Sequence, residues 1–226
     1  MSRSAPHTPG TFLSLEGVDG SGKSTQARLL VEALRAEGHE VVAAREPGGS
    51  PVAERIRTIL LDPSAGPITW ATEVLLYLAS RAEHVGTVIR PALERGAVVV
   101  CDRFLDSTLA YQGYGREPEN GSVVEAVSAI RRANHLGTLG LGPERTYLID
   151  LEAGVGLTRA RAGGRPPDRL EGEGTGFLER VRTGFLELAR QEPDRFLVLD
   201  GDQTIEVISR RIHEDASALL RRKGMR

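Results

Sequence analysis

Five short runs of apolar, β-prone residues recur along the chain: TFLSLEG at 11–17, HEVVAAREPGG at 39–49, AVVVCDR at 97–103, ERTYLIDLE at 144–152 and RFLVLDG at 195–201. Between them the apolar positions change to helical spacing. In 23–38, Ala27, Leu30, Val31 and Leu34 fall on one face and Gly38 supplies a stop. Helices are also expected at about 51–61, 69–85, 121–134 and 203–222. Short buried-looking strands alternating with helices predict an α/β fold with a five-stranded parallel sheet covered on both faces. Ligands of such sheets bind beyond the carboxyl ends of the strands, so the residues following each run hold the candidate chemistry.

One stretch breaks the pattern. RARAGGRPPDRLEGEGTG, 159–176, carries four arginines among Gly, Pro and acidic residues and has no apolar periodicity. Its plainest reading is a solvated surface loop. Residues 1–10 lack the apolar core of a signal peptide and are expected to form a loose extension to a single domain spanning 11–226.

Composition narrows the class. The chain has 226 residues, 40% hydrophobic and 27% charged, with a net charge of −2. That charge gives no general reason to expect a nucleic-acid or membrane partner. No apolar run approaches the ~20 residues that span a bilayer, and a cytoplasmic location is expected. The single cysteine, Cys101, follows an apolar run and reads as a small buried hydrophobe.

Lysine is rare here. Of 29 basic residues only Lys23 and Lys223 are lysine. Lys23 stands in EGVDGSGKST, where Gly17, Gly22, Lys23 and Ser24 fit the phosphate-loop pattern G-x-x-x-x-G-K-[ST], with a strand before it and a helix after it. The glycines let successive backbone N–H groups curl around a phosphate chain, and the helix that follows adds its positive end. A slender ammonium fits beside the phosphates as a point charge. Residues 17–25 (Gly17, Val18, Asp19, Gly20, Ser21, Gly22, Lys23, Ser24 and Thr25) are therefore candidates for ATP binding. The Ser24 hydroxyl, together with Asp102 at the end of a strand, is the candidate Mg2+ site. Asp150, at another strand end, is the rival for that role. Arg45 in REPGG suits an anionic second substrate, and spacings of three to four residues bring several of Arg103, Ser107, Tyr111 and Gln112, all candidates for binding that substrate, onto one helical face.

In this order, LEGVDGSGKSTQ, REPGG and DRFLDSTLAYQG resemble the thymidylate kinase (dTMP kinase) family, and the resemblance extends across EVLLYLASRAEH and RARAGGRPPDRLE. It implies the three-layer phosphate-loop NTPase fold with a mobile lid at about 159–174, and transfer of the γ-phosphoryl group of Mg2+-bound ATP to dTMP. By the same resemblance Asp19 lies near the acceptor's sugar and phosphate, Arg45 and Arg103 bind its phosphate, Tyr77 stacks on thymine and Arg81 reaches the base edge. Ser107, Thr108 and Tyr111 line base and deoxyribose, and Tyr111 crowds a ribose 2′-OH. No arginine lies between Gly17 and Lys23, which places the chain with the bacterial members whose lid supplies the catalytic arginine: Arg159, Arg161 or Arg165, with Asp168 and Arg169 at the far hinge. A homodimer through 51–61 and 69–85 is implied as well. The rivals are a kinase of another nucleotide or nucleoside, an acceptor-independent NTPase, and a binding module without catalysis.

Overall fold

The protein is described from a computed structural model, covering residues 10–116, 122–162 and 169–225. Five strands, β1 (Thr11–Glu16), β2 (Val41–Arg45), β3 (Val98–Asp102), β4 (Arg145–Asp150) and β5 (Phe196–Asp200), form one all-parallel sheet in the order β2-β3-β1-β4-β5. β1 sits in the centre and every one of its residues is buried, the polar Thr11, Ser14 and Glu16 included. The chain steps from β1 out to β2, returns through β3, then crosses to β4. The carboxyl ends of β1 and β3 therefore lie side by side where the winding changes direction.

Side chains alternate across the sheet. Leu13, Leu15, Val98 and Val100 pack under α1 (Lys23–Ala36), with the final helix crossing beside it. Phe12, Val99 and Cys101 face the opposite layer. That layer holds α2 (Pro51–Leu61), begun by Ser50 capping the Ala53 N–H, and α3 (Trp70–His84). A π-helical turn, Val85–Ile89, leads from α3 into α4 (Arg90–Glu94). After β3, α5 (Leu105–Thr108) widens directly into a π-helical segment, Leu109–Gly115. α6 (Val123–Thr138) opens on a capping box made by Ser122 and Glu125. α7 (Ala153–Ala162), α8 (Thr175–Gln191) and α9 (Ile205–Arg222) complete the chain, with α9 on the α1 side.

The Arg- and Gly-rich stretch is not simply a loop. Its first residues, through Ala162, belong to α7, and from Thr175 it becomes α8, whose Phe177, Leu178, Val181, Phe185 and Leu188 fill the largest core cluster. Arg165 and Asp168 lie outside the described residues. Cys101 is fully buried, and burial pushes its thiol pKa well up, as befits an inert packing residue.

Candidate active site

The phosphate loop turns from β1 into α1. Gly17, Gly20 and Gly22 hold φ values of 143°, 76° and 95°, in a region closed to most side chains. At Gly20 space is also limiting, since a Cβ would meet the Gly156 carbonyl oxygen at 2.0 Å. A Cβ on Gly156 would meet the Asp19 carbonyl oxygen at 2.5 Å. This glycine-to-glycine contact seats α7 directly against the loop.

Lys23 is buried and donates to the Val18 carbonyl at 2.7 Å. Burial, then repulsion from Arg103, pushes its pKa down to about 8, against the pull of Asp19, Asp102 and Glu16. Ser24 Oγ donates to Asp102 Oδ2 at 2.5 Å, joining the start of α1 to the end of β3. The rival carboxylate, Asp150, is instead held by Arg182 through bonds of 2.6 and 2.9 Å.

Opposite the loop stands Arg103, at a φ of 70° that is uncommon for a non-glycine residue and costs about 1–3 kcal/mol. Its Nη2 donates to Asp19 Oδ1 at 2.5 Å and to the Tyr111 hydroxyl at 3.0 Å, and its Nη1 to Ser107 Oγ and the Gly17 carbonyl, both at 3.1 Å. Tyr111 in turn donates to Asp19 Oδ2 at 2.8 Å. Burial alone would raise the Asp19 pKa, but Arg103 and then Lys23 hold it down at about 2. Burial and the nearby Asp106 carboxylate push Glu16 up, although Ser107 and the Phe104 N–H donate to it.

Arg81 is fully buried. Its Nε donates to Glu46 at 2.7 Å, its Nη1 to Asn134 at 2.6 Å, and its Nη2 to Thr108 and the Phe104 carbonyl. Gln112 Nε2 donates to the buried Glu73 at 2.9 Å. Arg45 lies at the edge, paired with Glu54 at 2.8 Å.

These groups surround one cavity of about 670 Å³. Asp19, Gly20, Gly22, Lys23, Ser24, Thr25 and Asp102 line it, while Gly17, Val18 and Ser21 are not among its lining residues. Every expected acceptor residue lines it too: Arg45, Tyr77, Arg81, Arg103, Ser107, Thr108, Tyr111 and Gln112. Of the lid arginines, Arg159 lines the cavity and donates to the Gly201 carbonyl at 3.1 Å, whereas Arg161 is exposed on α7 outside the lining.

The sequence reading missed Glu46, Arg57, Phe104, Leu61 and Leu170. Glu46 and Phe104 stand inside the quoted motifs and could have been found there. Arg57, whose Nη1 donates to the Pro47 carbonyl at 2.9 Å, sits in an unremarkable helix and carries no such signal.

A parallel sheet in this strand order, with a phosphate loop after β1 and a second cationic wall across one cavity, defines the class: a phosphate-loop nucleotide kinase. The comparisons narrow it. The model of the thymidylate kinase family matches residues 15–212. A thymidylate kinase of Ectopseudomonas mendocina is 48% identical over 93% of this chain and 95% of its own, and one of an Exiguobacterium species is 47% identical over 88% and 90%. A crystal structure of thymidylate kinase from Ehrlichia chaffeensis superposes with a TM-score of 0.72 at 33% identity, covering 92% of this chain and 99% of that one. The chain belongs to the thymidylate kinase family, and it is a nucleoside monophosphate kinase. Among the described residues no helix is long and apolar enough to cross a membrane.

Proposed function

We propose that the cavity holds ATP at the phosphate loop and dTMP against Arg45 and Arg103, and that the γ-phosphoryl group passes between them to give ADP and dTDP. The observation that carries this reading is the Asp19–Arg103–Tyr111 knot. A second arginine, held by Asp19 and Tyr111 beside the phosphate loop, supports an acceptor phosphate there. A switch or motor NTPase has no use for such a site.

The nucleophile is a phosphate oxygen, already ionised near neutrality because a monoester's second pKa is about 6, so no general base is required. The protein's work is to align two polyanions and neutralise charge in transit. Lys23 leaves the Val18 carbonyl for the β/γ-phosphates. Arg45 and Arg103 fix the acceptor phosphate. Asp19, kept ionised, orients Arg103 and Tyr111. Tyr77 offers a ring to the base, and Arg81, immobilised by four bonds, reads its edge. Arg159, Arg161 and Arg165 are the candidates for the arginine that stabilises the transferring group. Ser24 and Asp102 suit Mg2+: they are two oxygen ligands in contact, and this ion keeps waters and takes phosphate oxygens rather than a full protein cage. When bound, Mg2+ neutralises charge on the donor's β and γ oxygens. The enzyme is further proposed to be cytoplasmic and to act as a homodimer.

Arg45→Ala tests the two-ended cavity. It should raise KM for dTMP about 10- to 100-fold, the equivalent of one charge-assisted bond, and leave KM for ATP nearly unchanged. An equal loss for both nucleotides would remove Arg45 from the acceptor end.

A further inference from the structure

Glu73 is fully buried on α3, one helical turn before Tyr77. Its Oε1 accepts from Gln112 Nε2 at 2.9 Å and Arg116 Nε at 3.3 Å. Its Oε2 accepts from Arg116 Nη2 at 2.9 Å and faces Arg169 Nη2 at 2.5 Å. Two guanidinium groups thus hold one carboxylate in its ionised form, against the opposing effect of burial. An ionised carboxylate can only accept hydrogen bonds. Only the NH2 end of the Gln112 amide can therefore face Glu73, and the carbonyl end is directed away from it. The Gln112 backbone is fixed as well, since Trp70 Nε1 donates to its carbonyl at 2.8 Å. Gln112 is 1% exposed and lines the acceptor end of the cavity, and among the described residues no donor reaches its Oε1.

We infer that Glu73 is a positioning residue that fixes which end of the Gln112 amide the cavity presents, and thereby sets the hydrogen-bond polarity demanded of the acceptor's base. Oε1 is open to the cavity, and once a base covers it the acceptor needs a donor. The imino N3–H of thymine is one. N3 of cytosine is itself an acceptor and would meet Oε1 lone pair to lone pair. The π-helical segment supplies the reading group, and α3 supplies the carboxylate that orients it. The inference rests on the dTMP site proposed above, and adds that Gln112, which lines that cavity, faces the base.

The test compares kcat/KM for dTMP and dCMP in the wild type, Gln112→Leu, Glu73→Gln and the double variant. A glutamine at 73 both donates and accepts, so it no longer dictates the orientation of Gln112. Glu73→Gln should lower the dTMP-to-dCMP ratio about tenfold or more, chiefly through KM for dTMP, and add little once Gln112 is gone. A ratio unchanged in Gln112→Leu would show that Gln112 does not read the base, and the underlying proposal would fail. A ratio that falls in Gln112→Leu but holds in Glu73→Gln would overturn the role of Glu73 alone. Should Glu73→Gln not fold, because Arg116 and Arg169 lose a buried partner, neutron diffraction of the wild-type dTMP complex decides instead. Deuterium on Gln112 Nε2 directed at Glu73, and on thymine N3 directed at Oε1, is the expected result. Nε2 deuterium directed at the base would overturn it.

Discussion

Lys23 lies between two sets of charges, and its proton is the most informative single group in the site. With its pKa near 8 in the free protein, it is partly neutral under mildly alkaline conditions. Bound phosphates would raise that value, so ATP binding should take up a proton at and above about pH 8. Calorimetry in buffers of different ionisation enthalpy should show this uptake in the wild type and its loss in Lys23→Met, which should also lower kcat at least ~10²- to 10³-fold with the fold intact. Linkage to stability has a definite sign. The unfolded chain binds the Lys23 proton more tightly, up to its ordinary 10.5, so the cost of burying this lysine is relieved as pH rises from about 8 to 10.5. Asp19 behaves in the opposite region: its pKa of about 2 means its contribution is complete above 3.8 and is lost as pH falls through 2. Tyr111→Phe keeps the edge-on packing against Phe177 and Phe185, at centroid distances of 6.0 and 6.2 Å, and removes only the hydroxyl near Asp19. It should lower discrimination against ribo-TMP about tenfold in kcat/KM, and unchanged selectivity would place the sugar filter elsewhere. At this scale the sequence showed which residues gather but not how they are paired. Lys23, Arg103 and Tyr111 were legible because motif spacing is local. Glu73, Arg116 and Arg169 converge from distant segments, and no local pattern encodes that contact.

Among the elements, α7 is the one whose placement depends most on a single small residue. Gly156 abuts the Asp19 carbonyl, so Gly156→Val must push α7 away from the phosphate loop. We expect a loss of about 1–3 kcal/mol in stability, read by thermal unfolding, and a weaker affinity for ATP. Wild-type values for both would mean that α7 is not seated on the loop. All five strands were legible as apolar runs, and α1, α2, α3, α6 and α9 as helical stretches. α8 was equally periodic, with Phe177, Val181, Phe185 and Leu188 on one face, but it begins inside a Gly- and Arg-rich stretch that masks its start. The π-helical segment was also hidden. Spacing of three to four residues grouped Arg103, Ser107 and Tyr111, which do meet, but Arg103 stands before the helix at a φ of 70°, and spacing could not show that the helix widens at Leu109 and that Gln112 meets Glu73.

Over the whole molecule, α2 and α3 leave Val52, Ile59 and Leu75 exposed at 49, 50 and 64%. An apolar face of this kind on helices otherwise packed into the domain suits a second copy of the chain. For the homodimer proposed above to use this face, Leu75→Glu should lower the mass seen in light scattering from that of two chains to that of one, and an unchanged mass would place the contact elsewhere. In the function proposed above, one cavity holds a donor and an acceptor, and chemistry waits for both. The most direct measurement is ADP release from Mg2+-bound ATP with no acceptor, then with dTMP, dUMP, ribo-TMP, dCMP and dGMP in turn. Release should be slow with ATP alone and fastest with dTMP. Release at the same rate whatever the acceptor would contradict it, and would return Arg45, Tyr77 and Arg103 to purely structural roles.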